Sequence, residues 1–125
     1  MKLLTTLKLG DEHIKEMERL GVEVFVFDTK DELIQFQKPE EVNVIIANDS
    51  ALQRDFLDRC INLKWVHVPH VGIERIPLEY FKERNIIVTN ARGAGGVPIS
   101  EHIIFTMLMI ARKGRCVLEN QIAHK

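Results

Sequence analysis

Apolar and polar positions along the chain change period repeatedly, and each change marks an element. Val22 to Phe27 (VEVFVF) is apolar at nearly every position and rich in β-branched and aromatic residues, as a strand covered on both faces would be. Val42 to Ala47 (VNVIIA), Leu63 to Val68 (LKWVHV) and Ile86 to Asn90 read as further strands, and Lys2 to Leu9 as a first one ended by Gly10. Helical spacing fills the intervals. Asp11 is the expected cap of a helix with Ile14, Met17 and Leu20 on one face, stopped by Gly21. Thr29 and Glu32 have capping-box spacing for a short helix through Phe36, closed by Pro39. Ser50 and Gln53 repeat that spacing before Leu52, Phe56, Leu57 and Cys60, and Pro77 opens a helix with Leu78 and Phe81 inward. Strands alternating with helices across short connections predict an α/β fold, a five-stranded parallel sheet with helices on both faces.

Beyond the fifth strand the pattern changes. Gly93, Gly95 and Gly96 crowd one turn, and their freedom at positive φ predicts a hinge reaching from Asn90 through these glycines. Gly93, Gly95 and Pro98 approach a dinucleotide-binding GxGxxG, but proline replaces the third glycine and no strand ending in an acid follows. Pro98 then fits a first helical position, with Arg112 and Lys113 in the last turn before Gly114. Apolar residues occupy every face of this helix, so it requires burial on all sides. The expectation is a protruding C-terminal helix that presents Ile103, Phe105, Met107 and Met109 to another chain or domain. The boundaries expected are a domain over 1–92, a hinge over 93–97, and a helix with a tail over 98–125.

Composition narrows the function classes. Lys plus Arg at 17 against Asp plus Glu at 18 gives a net charge of -1, with no basic stripe for nucleic acid. Cys60 and Cys116 show no CxxC spacing, and the histidines no metal-ligand spacing, so neither a disulfide framework nor a metal site is expected. The longest apolar run, Ile103 to Ala111, is shorter than the roughly 20 residues a bilayer span needs, and the N-terminus is a poor signal peptide. A cytoplasmic protein without a membrane partner is expected. Ligands of open parallel sheets bind where strand-to-helix loops gather at the carboxyl ends. Here those loops are Ala47 to Asp49, Pro69 to Arg75 and Asn90 to Val97. The backbone amides of His70-Val71-Gly72-Ile73 could hold an anion such as a carboxylate.

From Leu63 to Lys113 the order HVGIERIP, IIVTNARG and VPISEH resembles the N-terminal domain of the D-isomer-specific 2-hydroxyacid dehydrogenases, especially the phosphoglycerate dehydrogenase-like members. Lys2 to Cys60 matches only in its flavodoxin-like architecture. The resemblance implies an oxidoreductase of two domains that uses NAD, in which this domain covers a 2-hydroxy or 2-oxo acid. It implies that the loop matching His70, Val71, Gly72 and Ile73 holds the substrate carboxylate. The segment matching Asn90, Gly93, Gly95 and Gly96 is then the interdomain hinge, and the helix from Pro98 a contributor to a homodimer. The family's fingerprint, substrate arginine and Glu-His pair lie past Lys125, so no catalytic residue is assigned here. The expectation is a truncated chain that is inactive alone and binds no NAD itself. The rival expectation is a non-catalytic binding or dimerisation module that pairs through the Pro98 to Lys113 helix.

Overall fold

The computed structural model describes residues 1–124, apart from the side chain of Lys30. The chain divides into two compact units, Met1–Ala91 and Arg92–Lys125. The first contains five strands: β1 (Lys2–Thr5), β2 (Glu23–Val26), β3 (Val44–Ile46), β4 (Trp65–Val68) and β5 (Ile87–Asn90). All pair in parallel, in the order β2-β1-β3-β4-β5. Four α-helices connect them: α1 (Asp11–Arg19), α2 (Lys30–Gln35), α3 (Arg54–Leu57) and α4 (Leu78–Glu83).

Strand order and the right-handedness of parallel crossovers together dictate where the helices lie. The chain moves one way from β1 to β2 and the other way for every later crossover. So α1 must cover one face of the sheet and α2, α3 and α4 the other. The buried side chains agree. Leu3 and Val44 cluster with Val22 and with Met17 of α1. Leu4, Ile45, Val66 and Val68, at alternate strand positions, cluster with Leu33 of α2, Phe56 and Leu57 of α3, and Tyr80 and Phe81 of α4. The α1 face is covered only toward β2, for Trp65 is 38% and Ile87 64% exposed.

Local chemistry explains the boundaries. Gly21, at φ 75°, closes α1 with Gly21 N–H on Glu18 O at 2.9 Å and Val22 N–H on Met17 O at 3.0 Å, the paired bonds of a Schellman motif. The α1 cap is Gly10, and Asp11 occupies the first helical position, where its charge favours the helix dipole without a side-chain bond. Thr29 caps α2 as its spacing predicts: its Oγ1 accepts from Glu32 N–H, and the Glu32 carboxylate accepts from Asp28 N–H. The same spacing at Ser50 and Gln53 misleads. A 3-10 turn over Asp49–Ala51 intervenes, Asp49 Oδ1 takes the Ser50 N–H, and α3 starts only at Arg54. The first strand also stops earlier than expected, at Thr5.

Arg84 fastens α4 to α3 and the turn after it by donating to Leu57 O at 2.9 Å and Cys60 O at 3.1 Å, each a carbonyl that also accepts one turn N–H. Tyr80 donates to Asp58 Oδ1 at 2.8 Å, and burial foremost, then this bond, holds its phenol above the usual pKa. The second unit consists of α5 (Gly96–Ala111) and α6 (Gly114–Ile122). The long helix begins at Gly96, so Pro98 stands at its third position, and the expected tail is a second helix.

Burial pushes the Cys60 thiol from its ordinary 9.0 up to about 12, whereas Cys116 is exposed. A thiol reagent at pH 8 is expected to modify one cysteine in the folded chain and both in denaturant. Because the unfolded thiol ionises first, Cys60 makes stability decline as pH rises from about 9 toward 12. Urea titrations at pH 8 and pH 10.5 of the parent and of Cys60→Ala check the sign, since the variant lacks this component.

Candidate functional site

The loops after β3 and β4 form the site. The stretch Pro69 to Ile76 leaves β4 without regular structure and is held at one side only. Ala91 N–H reaches Val68 O at 3.2 Å and His70 O at 3.3 Å, and Asn90 Nδ2 donates to Val71 O at 2.7 Å. These bonds use the carbonyls of the loop. The amides of Val71, Gly72 and Ile73 donate to nothing among the described residues. Val71 and Ile73 are exposed. Consecutive backbone N–H groups left free in this way are donors available to an anion.

Four side chains stand around that loop. Asp49, His70, Glu74 and Arg75, with Gly72, line an open cavity of about 220 Å³. Arg75 approaches Asp49 at 4.0 Å with its own side chain 86% exposed, so the pair is weak and leaves both groups able to turn to a ligand. The Glu74 carboxylate lies over Gly72, where an added Cβ would stand 2.7 Å from Oε2. That carboxylate occupies the region an incoming anion would use. The glycine leaves room for it.

The sequence brings His70, Gly72 and the neighbouring amides into view, and the fold places them together. Asp49 and Glu74, each within a strand-to-helix loop that the sequence marks as a candidate, line the same cavity as His70, a meeting of two loops that spacing alone does not reveal. His67 is satisfied within the sheet, its Nδ1 lying 2.9 Å from Thr89 Oγ1. Among the described residues no group of histidine, cysteine and acidic side chains is arranged to hold a metal ion. Likewise no helix is long and apolar enough to cross a membrane.

The segment expected to hinge divides by conformation. Asn90 is the last residue of β5, and its side chain braces the loop. Gly93 takes φ 89°, a region open to glycine, Gly95 is near the α region, and Gly96 begins α5. Pro98 stands where the dinucleotide fingerprint has its third glycine, and α5 already begins at Gly96 within the run, so the cluster departs from that fingerprint. Of the expected interface residues, Ile103, Phe105 and Met107 are exposed at 50–64%. Met109 is half-buried, with its sulfur against Gly114 at the start of α6.

Removing the Asn90 amide should release the loop while sparing the sheet, because the backbone bonds of β5 remain. In Asn90→Ala, hydrogen exchange at Ile76, whose N–H is held within the loop by Ile73 O at 3.1 Å, is expected to quicken roughly fivefold, as for loss of a bond worth about 1 kcal/mol. The amides of Val66 and Val88 should keep their protection. Equal loss at both places would show that Asn90 supports the sheet instead of the loop.

Comparison with known proteins gives this geometry a context. Residues 3–125 match the family described as D-isomer specific 2-hydroxyacid dehydrogenase, catalytic domain. The chain is 33% identical over 113 residues to D-3-phosphoglycerate dehydrogenase of Methanocaldococcus jannaschii, covering 90% of this chain and 21% of that protein. It thus spans about a fifth of that relative's length. Among solved structures, the TT0316 protein of Thermus thermophilus superposes with a TM-score of 0.72 at 24% identity, covering 98% of this chain and 40% of that one. A D-lactate dehydrogenase of Aquifex aeolicus, complexed with NAD and lactic acid, superposes with a TM-score of 0.65 at 18% identity, covering 98% and 37%. With nearly its whole length matched to that catalytic domain, the chain belongs to the D-isomer-specific 2-hydroxyacid dehydrogenase family.

Proposed function

We propose that this chain is the substrate-holding portion of an NAD-dependent D-2-hydroxyacid oxidoreductase, and that it grips the carboxylate of a 2-hydroxy or 2-oxo acid on the amides of Val71, Gly72 and Ile73. The observation that carries the reading is the set of free N–H groups on a loop whose carbonyls are tied to Ala91 and Asn90. Such a grip orients the acid and leaves its second carbon facing away from the loop. Hydride transfer needs a nicotinamide and a proton donor against that carbon. The glycine cluster before α5 does not suit a dinucleotide, so that chemistry is assigned to no residue here, and the chain alone is expected to be inactive. The cytoplasm is the compartment this reading implies.

A specific observation favours self-association as well. Ile103, Ile104, Phe105, Met107, Leu108 and Ile110 of α5 are each at least half exposed. Burying such side chains contributes about 1.5–3 kcal/mol each. Pairing of α5 with a second copy would supply that burial, and it is compatible with the substrate-holding role. It also serves the alternative reading, a non-catalytic dimerisation module, which requires no acid to bind.

Two measurements separate these readings. Oxamate, a small 2-oxo acid analogue, is expected to shift the amide resonances of Val71 to Ile73 in a titration. Glu74→Gln should bind it about two- to fivefold more tightly, because a nearby like charge is removed. Absence of shifts in that loop would sink the substrate-holding reading and leave the module. Phe105→Glu together with Met107→Glu should give a monomer in sedimentation where the parent chain is a dimer. A parent that sediments as a monomer would remove the pairing.

A further inference from the structure

Leu3, Val44, Trp65 and Ile87 stand in register across β1, β3, β4 and β5, on the face of the sheet that α1 covers. Leu3 and Val44 are buried in the cluster that includes Met17 of α1, and the cover ends there. Trp65 and Ile87 are exposed. In the next row toward the carboxyl ends, Ile46 and His67 are half-buried and Thr89 is exposed. A parallel sheet is ordinarily buried on both faces, so the lane over β4 and β5 lacks a layer. From β3 to β5 is two strand spacings, about 10 Å, which is the width of one helix with its side chains.

The lane is prepared for an apolar helix. Trp65 Nε1–H donates to Thr89 Oγ1 at 2.8 Å, and His67 Nδ1 lies 2.9 Å from the same oxygen. A helix can therefore cover Trp65 and Thr89 without stranding either polar group. Ile46, Trp65, Ile87 and Thr89 bring no charge to it. The chain itself carries a segment of matching character: from Ile103 to Ile110, α5 has no charged residue. Those eight residues rise about 12 Å, close to the roughly 13 Å length of a four-residue strand.

In a single copy Trp65 and Ile87 are exposed, and so are the six apolar side chains of α5 named above. Counted over two copies, these side chains offer on the order of 1,000 Å² of apolar surface, the scale at which a stable interface begins. We propose that α5 of one copy lies on the open lane of a second copy's sheet, over Trp65 and Ile87, and that the second copy returns the same contact. Such an exchange is closed and twofold, so it stops at a dimer. This inference rests on the self-association reading and adds the seat: helix on sheet instead of helix on helix.

Trp65 is the single tryptophan, so its emission reports on the seat directly. The 125-residue chain should sediment as a dimer in which iodide quenches Trp65 poorly, and Phe105→Glu with Met107→Glu should give a monomer quenched several-fold more strongly. Ile87→Asp, with α5 intact, should weaken the dimer at least about a hundredfold. Mixing that chain with the α5 variant should restore a dimer, because the pair keeps one intact helix and one intact lane. A parent dimer whose Trp65 is quenched as readily as in the α5 variant would overturn the seat and spare self-association. Full dimerisation by Ile87→Asp would do the same. A parent that is monomeric would overturn both, whether or not its tryptophan is shielded. If Ile87→Asp does not fold by circular dichroism, quenching of the parent against the α5 variant decides alone.

Discussion

The parallel pairing of β1 with strands on both sides is the constraint on which everything else depends. A parallel sheet brings all its strand-to-helix loops to one edge, and the reversal of direction at β1 parts the loops there. The cavity lined by Asp49, His70, Gly72, Glu74 and Arg75 lies at that edge, between the loops after β3 and β4. The two core clusters hold the sheet from opposite faces, so the loops are presented by a rigid base. Their own sequences need only supply free donors and room.

The division of labour within the β4 loop follows from hydrogen-bond accounting. Its carbonyls turn inward to Ala91 and to the Asn90 side chain, which leaves successive N–H groups pointing elsewhere. Those donors require a partner, and water or an anion provides it. Glu74, folded over Gly72, brings a carboxylate to this region from the chain itself, so the local field balances donors against one negative side chain. Arg75 and Asp49, loosely paired at the rim, can shift that balance as they move.

Much of this was legible in the residues, for stated reasons. The α/β alternation followed from short β-branched runs alternating with helical spacing, although β2, expected to be covered on both faces, is a partly exposed edge strand, and Gly21 and Thr29 announced their caps because those motifs are strictly local. Ser50 and Gln53 carried the same local signal and failed, because Asp49 captured the Ser50 N–H that the motif needed. The helix after Gly114 escaped notice because its residues show no clear apolar face. Asn90 was legible as the end of a strand near a glycine run, yet its bond to Val71 joins residues 19 apart and has no signature in the sequence.

What remains distinctive is a loop of free N–H groups in a chain whose glycine cluster departs from the nucleotide fingerprint. The proposed division of roles puts recognition of the acid in this chain and binding of the dinucleotide outside it. Titrating the 125-residue chain into NADH, with and without saturating oxamate, tests it through the fluorescence of the nicotinamide. NADH emission is expected to stay unchanged, with no oxidation when a 2-oxo acid replaces oxamate. Saturable enhancement of that emission, or steady turnover, would contradict it.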